Sequence, residues 1–298
     1  DKRFLYDGKE VSASFFFFAN YNFTLCRMIF SDIDGTLLPF SGKDLGPTHL
    51  LLSRLIQAGY HFVPCTGRGT GNIPREILTI PGLRYVITGN GAIVTDLQEG
   101  RASYQRRVPR EAARRLTAFL RRYQGKVFSY RQGEHYIDCR KGEVLPASDS
   151  PTLSDWMNSV IVMDFDDYLA QPESDFLDKM GFATFDPAAR AAVLQDVKQE
   201  DFYPEFSVST SGYWNVEFNA AGANKGDAAL WLAEKLGFGA EQMLAAGDNF
   251  NDIPLLECAY LSLAPANAEE EIRRLADVVV EDCRLDGVEK YLRQLLPD

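Results

Sequence analysis

FSDIDGTLLP (residues 30–39) places two aspartates, Asp32 and Asp34, one residue apart directly behind the apolar run Met28-Ile29-Phe30. Two ionised carboxylates so close repel each other, so something must gain from their nearness. The run just before them, CRMIFS, is short, apolar and bounded by Asp and Gly, as expected for a strand buried on both faces of a parallel sheet.

Working outward, Pro47 opens a helix over PTHLLLSRLIQA that Gly59 stops, and YHFVPC forms a second short strand ending at Thr66-Gly67-Arg68. RYVITGNGAIVTD (residues 84–96) reads as two strands turned by Asn90-Gly91. The alternation returns late in the chain. Helix NKGDAALWLAEKL, strand QMLAAG, helix DIPLLECA, strand YLSLA, helix NAEEEIRRLA and strand DVVV follow one another, with Asn267 and Glu270 as a capping pair. Between the two stretches lie VPREAARRLTAFLRRY, an amphipathic helix, then the antiparallel-looking KVFSYRQGEHYIDCR, a helix at DPAARAAVLQDVKQ and the strands of FSVSTSGYWNVEF. The expected fold is α/β: a Rossmann-like, doubly wound parallel sheet core, residues 26–96 and 216–298, with an α+β cap domain inserted over 97–215. The insert should leave and re-enter the core at neighbouring points. Residues 1–25, with the cluster Phe15–Phe18, are read as an extension foreign to the domain, with an added edge strand as the alternative.

The chain has 298 residues and a formal charge of −11, which argues against a nucleic-acid partner, because that binding rests on basic residues neutralising phosphates. No apolar run reaches the roughly 18 residues of a membrane span. Five scattered cysteines fit free thiols in a reducing cytosol better than a disulfide framework. With no CxxC, no HExxH and three dispersed histidines, a zinc site is not expected.

Open α/β sheets bind ligands at the carboxyl ends of their strands. Asp32 and Asp34, Thr66 and Asp248 all stand at such ends, and Lys225 opens the helix after the insert. A divalent cation would hold the paired acids together with Asp248 as third carboxylate, and an oxygen-rich, partly open site favours Mg²⁺. The same groups suit phosphoryl transfer. Asp32 is placed to attack phosphorus, Asp34 to act as general acid and base, and Lys225 and Thr66 to neutralise the equatorial oxygens. Gly35 permits the sharp turn after the strand.

DIDGT (32–36), Thr66 in CTGR, Lys225 in NKGDAAL and GDNFND (247–252) together resemble, in order, the four motifs of the haloacid dehalogenase-like hydrolase superfamily. The insert resembles the type-two cap of its Cof-like branch, and TSGYWNVEFNAAGANKG the stretch before that branch's lysine. The similarity spans about residues 28–295. It implies Asp32 as nucleophile and Asp34 as acid/base. Mg²⁺ would be bound by the Asp32 carboxylate, the Asp34 backbone carbonyl and Asp248. Ile33, Thr66, Gly67, Lys225 and Asn251 would contact the phosphate, and Asp252 would orient Lys225 or a metal-bound water. Cys65 stands where alanine is usual, Pro64 interrupts the second strand, and SLAPANA (262–268) replaces a commoner VAMGNA-like run.

Blander readings apply to each residue alone. DxDG also makes acidic turns, Lys225 a solvated helix start, Asp248 and Asp252 helix caps. GRGTGN (67–72) has the wrong glycine spacing for a dinucleotide loop. Arg110, Arg114, Arg115, Arg121 and Arg122 read as the wet face of a helix. The expected function is a Mg²⁺-dependent phosphatase of small phosphorylated metabolites, sugar phosphates or phosphorylated cofactors, working through an aspartyl-phosphate as a monomer or homodimer. The alternatives are a phosphotransferase or phosphomutase on sugar phosphates and a non-catalytic phosphometabolite-binding protein. Tyr130, Arg131, His135, Tyr213 and Trp214 are candidates for cap specificity.

Overall fold

The structure, a computed structural model, describes residues 3–6, 9–12, 25–39, 41–140, 160–172 and 175–296. Five strands form an all-parallel sheet in the order Val278–Val280, Leu261–Pro265, Met243–Ala246, Met28–Ser31, His61–Pro64. The apolar composition of these strands follows from cover on both sides. Ile29, Leu244 and Ala246 face one apolar layer with Leu51, Leu52 and Leu55 of the helix Gly46–Gln57. Met28, Phe30, Met243 and Ala245 face the opposite layer with Ala228, Ala229 and Leu232 of the helix Lys225–Lys235. Alternate side chains of one strand thus feed two cores, as a doubly wound sheet requires.

From Met28–Ser31 the chain crosses to its neighbour His61–Pro64 on one side, and it later returns through Met243–Ala246 on the other. The strands that carry Asp32 and Asp248 at their ends are therefore adjacent while their connections diverge, which opens a crevice between them. Pro64 does not break the sheet: Cys65 continues it, its amide donating to the Ser31 carbonyl at 2.7 Å and its backbone bridging in parallel to Ile87. Tyr85–Thr88 then pairs antiparallel with Ile93–Asp96 around Asn90, which takes the left-handed conformation (φ 57°), so the hairpin read at Asn90-Gly91 is present.

The second sheet is mixed, in the order Val160–Met163, Glu134–Asp138, Lys126–Arg131, Lys179–Ala183, Asn215–Ala220, Phe206–Ser209. Strand alternation divides its two faces by chemistry. Val127, Met180, Phe182, Val216 and Phe218 pack on Leu116 and Phe119 of the helix Arg110–Leu120 and on Val193 of the helix Pro187–Asp196. Asn215, Glu217 and Asn219 point the other way, and the last two reach Asn90 and Gly89 in the turn of the Tyr85–Asp96 hairpin. A domain division after Asp96 would separate the paired strands Ile93–Asp96 and Arg101–Gln105, and one after Asn215 would cut the inner cap strand Asn215–Ala220. By sheet membership we propose the cap's ends at Arg106 and Ala221. There the two connections meet, Arg106 Nη1 donating to the Ala221 carbonyl at 3.4 Å.

Two expectations need correction. Asn267 does not cap the helix Glu270–Leu275; its amide donates to the Gly35 carbonyl at 2.7 Å and its oxygen accepts from the Cys283 amide at 2.8 Å, tying the loop behind Asp34 to the far end of the sheet. The five arginines of the first cap helix are not a merely wet face. Arg110 pairs with Asp175, Arg115 with Glu205, Arg122 with Glu200, Arg114 donates to the Leu169 carbonyl, and Arg121 grips Asp138 with two nitrogens at 2.7 and 2.8 Å. At the start of the chain, Arg3–Tyr6 and Lys9–Ser12 pair with each other, and the Phe15–Phe18 cluster lies outside the described residues. All five cysteines are free thiols, Cys65 among the buried ones. No helix among the described residues is long and apolar enough to cross a membrane.

Arg121→Met should lower stability by about 3 kcal/mol in urea denaturation, because it strands the Asp138 carboxylate, whose side chain is only 7% exposed. Arg115→Met, which breaks a pair with 37% and 45% exposed partners, should change stability by less than about 1 kcal/mol.

Candidate active site

Asp32 leaves the first core strand with its amide still in the ladder, donating to the Ala246 carbonyl at 2.9 Å, so its side chain emerges at a fixed height above the sheet. Lys225, fully buried in the first turn of its helix, reaches back to it. Its Nζ lies 2.6 Å from Asp32 Oδ1 and 2.6 Å from Asp252 Oδ1. The Asn224 side chain caps this helix by accepting from the Asp227 amide. Gly226 lets the next helix come close, since a Cβ there would stand 2.2 Å from the Pro254 carbonyl. Asp252 is fully engaged: its other oxygen accepts from the amides of Asp248 and Asn249 at 3.0 and 3.1 Å.

Asp248 completes the group. Its Oδ1 accepts from the Thr36 hydroxyl at 2.8 Å, while Oδ2 lies against Gly35, where a Cβ would stand only 2.4 Å away. Gly35 has φ +84°, so the turn and the close approach both demand glycine. One oxygen each of Asp32, Asp248 and Asp252 lies within 4.8 Å of the others.

Three buried carboxylates share one lysine, and the electrostatics register the imbalance. Burial drives the Asp32 carboxyl well above its ordinary range, opposed by Lys225 and reinforced by Asp252 and Asp248. Burial, then the neighbouring Asp252, pushes Asp248 up to about 7 against the Thr36 hydrogen bond. Burial alone would lower Lys225, but Asp252 and Asp32 outweigh it and hold the ammonium well above its ordinary value. The charge that remains to be balanced is negative and the donors are all oxygens. That set fits a hard divalent cation such as Mg²⁺, with Asp32 and Asp248 as the carboxylates and Asp252 already committed to the lysine and the loop amides.

The Asp34 carboxylate does not join Asp32 and Asp248 as the paired-acid reading expects. It is turned to Arg68, which donates from Nε at 2.6 Å and Nη2 at 2.7 Å, and it is not among the clustered acids. Only the Asp34 backbone carbonyl is left to serve an ion. Ile33 is a fully buried core residue, so any contact it offers is through its backbone. Thr66 and Asn251 are brought together by Asn90, whose amide donates to the Thr66 carbonyl at 3.0 Å and whose side-chain oxygen accepts from Asn251 Nδ2 at 3.1 Å. Gly67 lies against the same Asn90 oxygen. Thr36, Arg68, Lys179 and Glu217 were given no site role by sequence reasoning, and Asn90 was read only as the turn of a hairpin. DIDGT and CTGR contained the first two, whereas nothing local marks Lys179 and Glu217 or the site role of Asn90.

The cap candidates divide. Tyr130 stacks on His135 with ring centroids 4.3 Å apart, and burial pushes His135 down to about 3, so it stays neutral. Their hairpin covers the GRGTGN loop: a Cβ at Gly71 would stand 2.7 Å from the Gly133 carbonyl, and one at Gly69 would stand 3.0 Å from Tyr130. Those glycines admit the cap rather than a nucleotide. Arg131 lies over the rings of Tyr136 and Tyr168 in the cap's own interior, away from the site. Exposed Tyr213 reaches Glu269, whose amide donates to the Asp248 carbonyl, and exposed Trp214 stands beside it.

A parallel sheet with a lysine-bridged acid cluster at its switch point and an inserted mixed cap defines a class of hydrolases. Residues 29–292 match the family model of the haloacid dehalogenase-like hydrolases, and the chain belongs to that family. It is 26% identical over 289 residues to Phosphatase YwpJ of Bacillus subtilis, covering 91% of this chain and 100% of that protein. It is 36% identical over 115 residues to 5-amino-6-(5-phospho-D-ribitylamino)uracil phosphatase YcsE of the same species; that match spans 39% of this chain and 45% of YcsE. The fold superposes on the subclass IIB sugar phosphatase BT4131 with a TM-score of 0.75 at 18% identity, covering 91% of this chain and 100% of that one.

Gly35→Ala should push the Asp248 carboxylate out of the cluster. A fall of about tenfold or more in Mg²⁺ affinity by calorimetry, with the chain still folded, is the expected outcome.

Proposed function

We propose that the protein is a Mg²⁺-dependent phosphatase that hydrolyses small phosphorylated metabolites through a phosphoryl group carried on Asp32. The observation that carries this reading is the bridge of Lys225 between Asp32 and Asp252 beside Asp248, a buried oxygen-rich cluster at the switch point of the sheet. Asp32, presented rigidly by the strand, is the nucleophile: its oxygen attacks phosphorus as the ester oxygen departs. Lys225 offsets charge on the transferring group and holds Asp32 in line. Bound by Asp32, Asp248 and the Asp34 carbonyl, Mg²⁺ would add positive charge beside the phosphoryl oxygens.

Thr66, Gly67, Asn251 and the Ile33 backbone would contact the phosphate. Asp34 serves as acid toward the departing oxygen and then as base toward water, a role that requires Arg68 to release it. The cap supports a small substrate, because its hairpin meets the 67–72 loop in direct contact and excludes folded partners and bulk water. The relatives named as phosphatases support the same reaction.

Asp32→Asn should reduce hydrolysis of a phosphate-ester panel by at least about 10³-fold while circular dichroism stays unchanged. Residual activity near that of the parent would remove Asp32 as nucleophile. EDTA should abolish turnover and added Mg²⁺ restore it; full activity in EDTA would remove the metal from the scheme.

A further inference from the structure

A second buried lysine lies outside the chemistry just described. Lys179, on an inner cap strand and 1% exposed, donates to Glu217 Oε1 at 2.6 Å within the cap sheet and, across the cleft, to the Gly67 backbone carbonyl at 2.7 Å. Glu217 continues the path. Its second oxygen accepts from Asn90 Nδ2 at 2.8 Å, and Asn90 in turn accepts from Asn251. Beside this path, Asn219 donates to the Gly89 carbonyl at 2.6 Å. Two cap charges therefore end, through one or two hydrogen bonds, on Gly67, Thr66 and Asn251, the groups placed around the phosphate.

We propose that Lys179 and Glu217 are positioning residues that set the Thr66–Gly67 loop and Asn251 only when the cap is closed, so that a formed phosphate site and a closed cap are one state. The inference rests on the phosphatase reading for its catalytic consequence. The pairing makes the arrangement physically reasonable. An unpaired buried lysine would resist desolvation, but Lys179 and Glu217 are partnered on the cap itself and travel with it. Closure then needs the Gly67 and Gly89 carbonyls and the Asn90 side-chain amide to exchange water for cap groups. Tyr130 adds a ring face 4.9 Å from Nζ, which fixes the ammonium's third side. Gly67 admits this close approach, since a Cβ there would stand 2.7 Å from Asn90 Oδ1. The loop thus lies between Asn90 and Lys179.

The test uses the full chain with Mg²⁺, p-nitrophenyl phosphate as substrate and inorganic phosphate as ligand. Lys179→Met/Glu217→Gln removes both charges together, keeps an acceptor for Asn90, and leaves no stranded ion. It should weaken phosphate binding by calorimetry about tenfold and lower kcat/KM about 10²-fold, with part of the loss in kcat, while its urea midpoint stays near that of the parent. Asn90→Gly, which keeps the left-handed backbone and cuts the link to Asn251, should weaken phosphate binding in the same direction; it decides the matter if the double variant does not fold. Unchanged phosphate affinity and kcat in either folded variant would overturn the proposal, and a lowered urea midpoint with parental kinetics would reduce the pair to a structural one. A parent chain that binds phosphate without turnover would sink the phosphatase reading instead, and the binding arm would still decide the latch.

Discussion

The whole site depends on one buried ammonium. Lys225 holds Asp32 and Asp252 at contact distance in a place where neither acid, nor the lysine, would be stable alone. The surrounding backbone is shaped to permit it. Gly226 admits the Pro254 carbonyl, Gly247 admits the Asp252 side chain, and Gly91 lies where a Cβ would stand 2.0 Å from the Asn224 carbonyl just before the lysine. Each glycine removes atoms that would otherwise push apart the segments carrying Lys225, Asp248 and Asp252. Asp252, through the amides of Asp248 and Asn249, then passes the same constraint to the third acid.

That dependence explains why the core was legible in the sequence. A parallel strand buried on both faces must be apolar throughout, and its first polar residue marks where it leaves the sheet, so Ser31-Asp32 and Gly247-Asp248 announced themselves. The hairpin at Asn90 was equally plain, because a left-handed residue before glycine has few other uses. What local pattern does not carry is the partner of a side chain far away in sequence. Arg68 sits inside a quoted motif, yet its grip on Asp34 depends on how the 66–72 turn folds. Asn267 looked like a cap three residues ahead of a glutamate, but it is drawn away by two backbone groups, at Gly35 and Cys283, that only the assembled sheet brings near.

The cap shows the same division. FSVSTSGYWNVEF was read as strands, and the strand Asn215–Ala220 carries one apolar and one polar face, both of them used. The alternation gave no sign that its polar members answer to Asn90 and Gly89 of the other sheet. The arginines of the first cap helix were misread for a related reason. A helical wheel separates apolar from polar, but it does not separate arginines that face water from arginines stapling a small domain to its own acids, as Arg121 does to Asp138, Asp164 and Asp166.

The role proposed for Asp34 needs a carboxylate free to exchange a proton, whereas both of its oxygens are held by Arg68. Arg68 is itself tethered, since Nη1 donates to the Asn72 carbonyl at 2.7 Å and its amide donates to Thr66 Oγ1 at 3.1 Å. The arginine therefore releases Asp34 only by swinging its fork alone or by moving with the 70–72 turn. Gly71 lies directly beneath the Gly133 carbonyl of the cap hairpin, so the second route displaces the cap as well. An ester oxygen arriving beside Asp34 competes for the guanidinium in place and needs no such displacement. The side-chain route is thus the one compatible with a cap that stays shut during the chemistry.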